Sequence, residues 1–192
     1  MGAAFSFGGW GLGWRFTSGI PPPKVTNVRI KIFTTGGSLD KGYSTKESAF
    51  IVQDPKIGPL LEEANVQLEF EVESLFKKDS LELSDADREL IYEKVRDDPS
   101  SHILITHGTD TMALTGRRLS SLLGKTIVLT GAMQPAAFKH SDASFNIGFA
   151  LGCLQTLPTG VYLAMNGRVF DPHRVTKNLE MSRFEKPSKG EE

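Results

Sequence analysis

The sequence is poor in cysteine, with Cys153 the only one among 192 residues. A single cysteine can form neither an intrachain disulfide nor a zinc ribbon, and such low usage favours a reducing compartment. Cys153 has apolar neighbours in a predicted helix, so we interpret it as a core residue rather than a nucleophile. We therefore expect a cytoplasmic protein that has no disulfide framework.

Long apolar runs and an excess of charge of one sign are also lacking. No stretch approaches the roughly eighteen apolar residues of a membrane span, and 22 basic against 23 acidic residues leave a net charge of -1. We expect neither a membrane protein nor a nucleic-acid-binding protein. With 39% hydrophobic residues, the chain is long enough for one packed domain that binds a small molecule.

Several common site motifs are missing. The histidines show no H-x-x-x-H or H-E-x-x-H spacing, so no metal is expected. No Walker A loop, dinucleotide fingerprint or Gly-x-Ser-x-Gly elbow occurs, so we expect no cofactor and no α/β-hydrolase route to amide cleavage.

The two ends of the chain differ from its middle in composition. Residues 1–27 are rich in glycine and proline, so we predict a poorly ordered tail or a segment that packs loosely through Trp10 and Trp14. The first residues also match the loose pattern for myristoylation of Gly2, which matters only in a eukaryotic host. Residues 184–192 are predicted to be a polar tail, which leaves one domain over residues 28–183.

Five β-type runs alternate with helical patterns along that domain. The predicted strands cover residues 28–33, 66–72, 102–106, 126–130 and 160–165, and the predicted helices cover 55–64, 84–96, 112–123 and 143–155. The last three strands are continuous apolar runs, as expected when helices cover both faces of a parallel sheet. We predict an α/β fold with a doubly wound, mainly parallel sheet, a flavodoxin-like three-layer sandwich. The polar residues 38–48 are predicted to be a mobile loop.

Polar residues follow the carboxyl ends of the predicted strands, where ligands bind in an open parallel sheet. Gly36 and Gly37 allow the backbone to approach a ligand and turn its N–H groups toward negative charge, or they form a simple tight turn. Thr109 can become a nucleophile if Lys177 takes its proton and Asp110 orients that lysine. A strand order of 2-1-3-4-5 would let these residues meet, although Thr109 or Asp110 could instead cap the next helix.

Four motifs occur in one order between about residues 28 and 183. They are Thr34-Thr35-Gly36-Gly37-Ser38, His107-Gly108-Thr109-Asp110-Thr111-Met112, Gly131-Ala132-Met133-Gln134-Pro135 and Val175-Thr176-Lys177. Together they resemble the bacterial-type L-asparaginase family. The resemblance implies hydrolysis of L-asparagine to L-aspartate and ammonia, through a covalent β-aspartyl enzyme whose oxyanion is held by backbone N–H groups.

The resemblance also assigns roles to individual residues. The implied catalytic residues are Ser38 at the nucleophile position, which is normally Thr, Tyr43 on the flexible loop, and the relay of Thr109, Asp110 and Lys177. The implied substrate-binding residues are Gly37, Ser80 for the α-carboxylate, Thr109, Asp110 for the amine, and Ala132.

Two departures from the family pattern leave alternatives open. Family members usually carry a smaller C-terminal domain, so the resemblance implies the catalytic domain alone, with a homodimer expected. Leu81 stands where longer members commonly have a polar substrate contact. The alternatives are a glutaminase or a transamidation-linked relative with the same chemistry, and a non-catalytic amino-acid-binding or regulatory module.

Overall fold

The strands and helices of the chain are taken from a computed structural model that describes residues 29–186. The strands are β1 (Ile30–Gly36), β2 (Lys41–Ser44), β3 (Ala49–Val52), β4 (Phe70–Lys78), β5 (His102–Thr106), β6 (Thr126–Thr130), β7 (Gly160–Met165), β8 (Arg168–Phe170), β9 (Thr176–Asn178) and β10 (Arg183–Glu185). The α-helices are α1 (Ile57–Glu63), α2 (Asp85–Asp97), α3 (Met112–Leu119) and α4 (Ala143–Thr156). Short 3-10 turns at Ser38–Asp40 and Ser80–Glu82 follow β1 and β4.

The central sheet has six strands in the order β4-β1-β5-β6-β7-β8. Neighbours from β4 to β7 pair in parallel, and β8 is antiparallel to β7. The first five strands of this order are the predicted strands two, one, three, four and five. The predicted order and the α/β fold class are therefore confirmed.

Helices cover both faces of the sheet because successive side chains of a strand point to opposite sides. Ile32 of β1 belongs to a buried cluster with Leu61 of α1 and Leu154 of α4. Phe33, the next residue, belongs to a second cluster with Ile91 of α2 and residues of α3. Cys153 of α4 is buried in the first cluster, so its interpretation as a core residue is confirmed.

Helix α2 begins where the sequence predicts it. The Ser84 hydroxyl accepts a hydrogen bond from the N–H of Asp87 at 3.2 Å, and the Asp87 carboxylate accepts one from the N–H of Ser84 at 2.8 Å. These reciprocal bonds satisfy two N–H groups that would otherwise lack partners at the start of the helix.

Strand β4 lies later in the chain than predicted. The alternation of apolar and polar residues begins at Val66 and ends at Glu73, but the ladder with β1 starts only at Phe70 and the strand runs on to Lys78. Val66 and Leu68 pack against the core before the strand begins. The predicted edge position of this strand is correct, because β4 is the first strand of the sheet.

The prediction that residues 38–48 form a loop is wrong, because most of them belong to regular elements. The first residues form the turn Ser38–Asp40, and the rest belongs to the antiparallel hairpin of β2 and β3. Both strands have four residues. Strand β2 is polar, and the apolar β3 is exposed or partly buried at every position, so neither shows the alternation of a half-buried strand. Ser48, just before β3, has a left-handed φ of 50°.

The boundary predicted at residue 183 falls inside β10, where Phe184 is buried against Phe170. The tail predicted for residues 1–27, with Gly2 and both tryptophans, lies outside the described residues, as do Val28 and residues 187–192. Within residues 29–186 no helix is long and apolar enough to cross a membrane.

Candidate active site

Three loops meet at the carboxyl ends of β1, β4 and β5. Gly37 has a left-handed φ of 88°, and a Cβ at this position would overlap the Cα of Gly108. A Cβ at Gly108 would in turn lie 2.7 Å from the Oγ of Ser80. Glycine is therefore required at both positions, because Gly37 packs on the backbone of Gly108 and Gly108 packs on the Cβ and Oγ of Ser80.

The N–H of Gly37, one of the groups expected to turn toward negative charge, has a partner within the protein. This N–H donates a hydrogen bond of 2.9 Å to the carbonyl of Lys78, at the end of β4. Gly37 therefore serves close packing between the loops, and its N–H is already occupied.

Ser38 starts the 3-10 turn directly after Gly37 and is partly buried. Two residues later, Asp40 is buried and accepts a hydrogen bond of 2.8 Å from the N–H of Lys56. Burial raises the pKa of Asp40 to about 6, and the hydrogen bond from Lys56 opposes this rise. The turn that presents Ser38 is thus attached to the segment before α1 by an ionisable group.

Ser80 is buried at the start of the turn after β4, and its Oγ has no hydrogen-bond partner among the described residues. The turn is closed by a capping box between Asp79 and Glu82. Thr111 Oγ1 donates a hydrogen bond of 2.7 Å to the Ser80 carbonyl. A buried hydroxyl without a partner is costly unless a ligand or water satisfies it, so Ser80 fits a ligand-binding role.

Lys177 meets Thr109 and Asp110 across 68 and 67 residues of sequence. Its Nζ donates hydrogen bonds of 2.7 Å to Thr109 Oγ1 and 2.7 Å to Asp110 Oδ1. Thr109 is buried, and the Lys177 side chain is 18% exposed. As an ammonium, Lys177 can only donate protons, so it must first lose one before it can act as a base for Thr109.

Strand β9 delivers Lys177 to this position. Val175, just before β9, and Phe184, within β10, are buried in the core cluster that contains residues of α2 and α3. Phe184 lies directly opposite Lys177 in the ladder. The hairpin is therefore anchored in the core, and this anchor fixes the backbone from which the lysine reaches the loop after β5.

Tyr43 lies on the β2–β3 hairpin, with 55% of the residue exposed. Its ring makes an edge-on contact with Phe50 at 5.6 Å between centroids, and Phe50 makes a similar contact with Phe138 at 5.5 Å. Phe138 belongs to the segment between β6 and α4. The hairpin thus packs against that segment through its aromatic rings.

His107 is a buried residue at the start of the loop after β5, and it was not predicted to have a role. Its Nδ1 lies 2.7 Å from the Gly108 carbonyl and its Nε2 lies 2.8 Å from Thr115 Oγ1. A carbonyl can only accept, so Nδ1 carries the proton and Nε2 accepts from the Thr115 hydroxyl. Burial lowers the pKa of His107 to about 4, so the ring is neutral and holds Gly108 in place.

The loop after β6 contains Ala132, which is buried. The Asp142 carboxylate accepts hydrogen bonds of 3.0 Å from the N–H groups of Met133 and Gln134. Asn146 Nδ2 donates to the Gly131 carbonyl at 3.0 Å. Sequence reasoning missed Asp142 and Asn146, although an acidic residue just before a predicted helix was a usable indication.

Two further expectations concern metals and Leu81. No group of three or more His, Cys, Asp or Glu side chains within residues 29–186 could hold a metal ion. Leu81 is 73% exposed beside the buried Ser80, so an apolar side chain borders the rim of the site.

The chain is similar to known proteins over most of its described residues. The family model for the N-terminal domain of asparaginase matches residues 29–190. The chain is 30% identical over 171 residues to one component of the glutamyl-tRNA(Gln) amidotransferase from Methanococcus maripaludis, covering 80% of this chain and 39% of that protein. It is 29% identical over 194 residues to a probable periplasmic L-asparaginase from Haemophilus influenzae, covering 94% of this chain and 54% of that protein.

A solved structure is also similar. L-asparaginase I from Vibrio cholerae superposes with a TM-score of 0.74 at 28% identity, over 84% of this chain and 52% of that one. The chain therefore spans about half of the length of these relatives, or less.

Proposed function

Since the chain belongs to the asparaginase family, we propose that it is an amidohydrolase that converts L-asparagine to L-aspartate and ammonia. The observation that carries the proposal is the double contact of Lys177 Nζ, 2.7 Å from both Thr109 Oγ1 and Asp110 Oδ1. A site that only binds an amino acid has no need of a lysine held against a buried threonine hydroxyl.

The proposed reaction has two steps. The Ser38 Oγ loses its proton and forms a bond to the side-chain carbonyl carbon, the C–N bond breaks, and the protonated nitrogen leaves as ammonia. Water then attacks the β-aspartyl ester and restores the Ser38 hydroxyl. Thr109, with Lys177 and Asp110, relays protons in these steps.

The substrate would be held by the residues around this centre. The buried Ser80 Oγ, which lacks a partner among the described residues, would donate to the α-carboxylate. Asp110 would accept from the amine, and Ala132 would line the wall opposite. Tyr43 would assist Ser38 after a movement of its exposed ring toward the site.

A second candidate function has the same reaction chemistry with a different amide substrate. The similarity to an amidotransferase component supports a glutaminase or a transamidation-linked activity. The exposed Leu81 leaves the rim without a polar group to discriminate between asparagine and glutamine. A non-catalytic amino-acid-binding module is the alternative of another class.

Ammonia release by the purified chain from L-asparagine and from L-glutamine distinguishes these functions. We expect faster release from asparagine, loss of release in Ser38→Ala, and retained release in Ser38→Thr, whose methyl group restricts the hydroxyl rotamer. Faster release from glutamine favours the second candidate. Binding of L-aspartate without any ammonia release supports the non-catalytic module.

The proposal also covers the oligomeric state of the protein and its cellular compartment. A homodimer is expected and is tested by light scattering. The single, buried Cys153 supports a cytoplasmic location, whereas the relative from Haemophilus influenzae is named as periplasmic.

A further inference from the structure

An ion pair joins the hairpin to the turn that carries Ser80. Lys41 Nζ of β2 lies 2.6 Å from Asp79 Oδ2, and the two side chains are 29% and 27% exposed. Lys41 follows Ser38 by three residues, and Asp79 directly precedes Ser80. The pair therefore connects the segment of the proposed nucleophile with that of the proposed carboxylate-binding residue.

Asp79 creates an electrostatic difficulty for an anionic substrate. Burial opposes ionisation of Asp79, but hydrogen bonds from Lys41 and from the N–H of Leu81 bring its pKa below the ordinary value. The carboxylate is therefore charged at neutral pH, one residue away from the hydroxyl that would bind the α-carboxylate. Two like charges at such a separation repel each other appreciably where solvent is partly excluded.

The other charged groups around this turn have their own partners. Lys78 pairs with Asp87 at 2.8 Å, and Lys77 pairs with Asp54 at 2.5 Å. Glu82 adds a further negative charge, and its carboxylate accepts from the N–H of Asp79 at 3.0 Å. Lys41 is the cation in contact with Asp79, and it reaches the turn from the hairpin.

We propose that Lys41 is a positioning residue that lets the site accept a substrate carboxylate, because its contact with Asp79 neutralises the charge beside Ser80. The proposal rests on the proposed function. It also implies that the position of the hairpin and carboxylate binding are coupled, because a hairpin that moves away leaves Asp79 uncompensated. L-amino-acid amides with a free α-carboxylate are the substrate class that this arrangement selects.

The test compares KM and kcat for L-asparagine in Lys41→Met with those in the matched control Lys77→Met. Lys77 also connects β4 to the chain just after β3 by an ion pair, but its partner, Asp54, is not on the Ser80 turn. We expect Lys41→Met to raise KM about three- to tenfold with little change in kcat. Lys77→Met should change KM by less than about twofold.

A rescue variant distinguishes two roles of Lys41, the neutralisation of the Asp79 charge and a purely structural contact between the hairpin and the Ser80 turn. Adding Asp79→Asn to Lys41→Met removes the uncompensated charge, and asparagine can still accept the N–H of Leu81. We expect KM to return to within about twofold of wild type, although the contact between hairpin and turn stays broken. A double variant with a KM as high as that of Lys41→Met overturns the proposal.

A binding measurement covers the case in which the chain releases no ammonia. The dissociation constant of L-aspartate, measured by calorimetry on the same variants, should follow the same order as KM. A chain that binds L-aspartate with this order but turns over no substrate contradicts the proposed activity and supports the role of Lys41. Equal affinity in wild type and Lys41→Met, or no binding in wild type, overturns the proposal.

Discussion

Thr111 Oγ1 lies 2.7 Å from the carbonyl oxygen of Ser80, so one hydrogen bond joins the loop after β5 to the turn after β4. This contact ties the backbone of Ser80 to the loop that carries Thr109 and Asp110, two residues that come just before Thr111. The proposed carboxylate-binding residue and the proposed proton relay are thus joined by one hydrogen bond.

Replacement of Thr111 by valine should weaken substrate binding. The Ser80 carbonyl loses the 2.7 Å hydrogen bond from Thr111 and keeps only a longer one of 3.4 Å from the N–H of Leu83, which should cost about 1 kcal/mol of stability. The turn that carries the Ser80 hydroxyl also loses its tie to the loop after β5. We expect KM for L-asparagine to rise more than kcat falls. Thr111→Ser retains the hydroxyl and is the matched control, and equal kinetics in the two variants would contradict this role.

Asp40 should make the protein less stable as the pH rises. Its folded-state pKa of about 6 lies above the ordinary value of 3.8, so the folded state favours the protonated form. The contribution of Asp40 to the free energy of unfolding is fully present below its ordinary pKa of 3.8 and is lost as the pH rises through about 6. The free energy of unfolding falls by about 3 kcal/mol in all.

Urea unfolding of wild type and Asp40→Asn across this range measures the effect. An asparagine side chain can still accept the N–H of Lys56 but does not ionise. The variant should therefore gain stability relative to wild type with increasing pH. A constant difference between the two proteins would show that Asp40 is not held protonated by its burial.

His107 should have the opposite dependence on pH. Burial lowers its pKa from 6.5 to about 4. The contribution of the neutral ring to the free energy of unfolding is therefore fully present above pH 6.5 and is lost as the pH falls toward about 4. Nitrogen NMR of the ring should find the proton on Nδ1 and no titration near pH 6.5. Titration at the ordinary value would contradict the hydrogen bonds to Gly108 and Thr115.

Two glycine-to-alanine changes should have opposite effects. Gly37→Ala places a Cβ against Gly108 at a φ of 88°, so stability and activity should both fall. Gly148→Ala adds a methyl group on α4 with no atom within 4 Å, and it should stabilise the protein by about 0.5–1 kcal/mol. Urea unfolding checks both, and a Gly37→Ala protein as stable as wild type would refute the close packing of the loops.

Much of the central sheet could be predicted because its strands are buried on both faces. The runs of β5, β6 and β7 are continuous and apolar, so their positions follow from the sequence alone. The β2–β3 hairpin was missed because β2, Lys-Gly-Tyr-Ser, has no apolar pattern and the apolar run of β3 has only four residues. The start of β4 was misplaced because Val66 and Leu68 continue its alternation without joining the ladder.

The site was predicted through motifs, whereas its supporting contacts depend on tertiary structure. The resemblance named Thr109, Asp110 and Lys177, and the β9–β10 hairpin, anchored in the core through Val175 and Phe184, brings the lysine within hydrogen-bonding distance of the other two. The pairing of Lys41 with Asp79 joins two partly buried residues that are far apart in the chain, and no sequence spacing indicates it. The occupied N–H of Gly37 likewise depends on the neighbouring β4.

Loss of ammonia release from L-asparagine on Lys177→Met tests the central claim most directly. The control is Lys186→Met, which removes a charge from an exposed position just after β10. With both variants folded, we predict that Lys177→Met lowers kcat by at least about a hundredfold and that Lys186→Met stays close to wild type. A Lys177→Met protein within a few-fold of wild type would contradict the proposed relay of Thr109, Lys177 and Asp110.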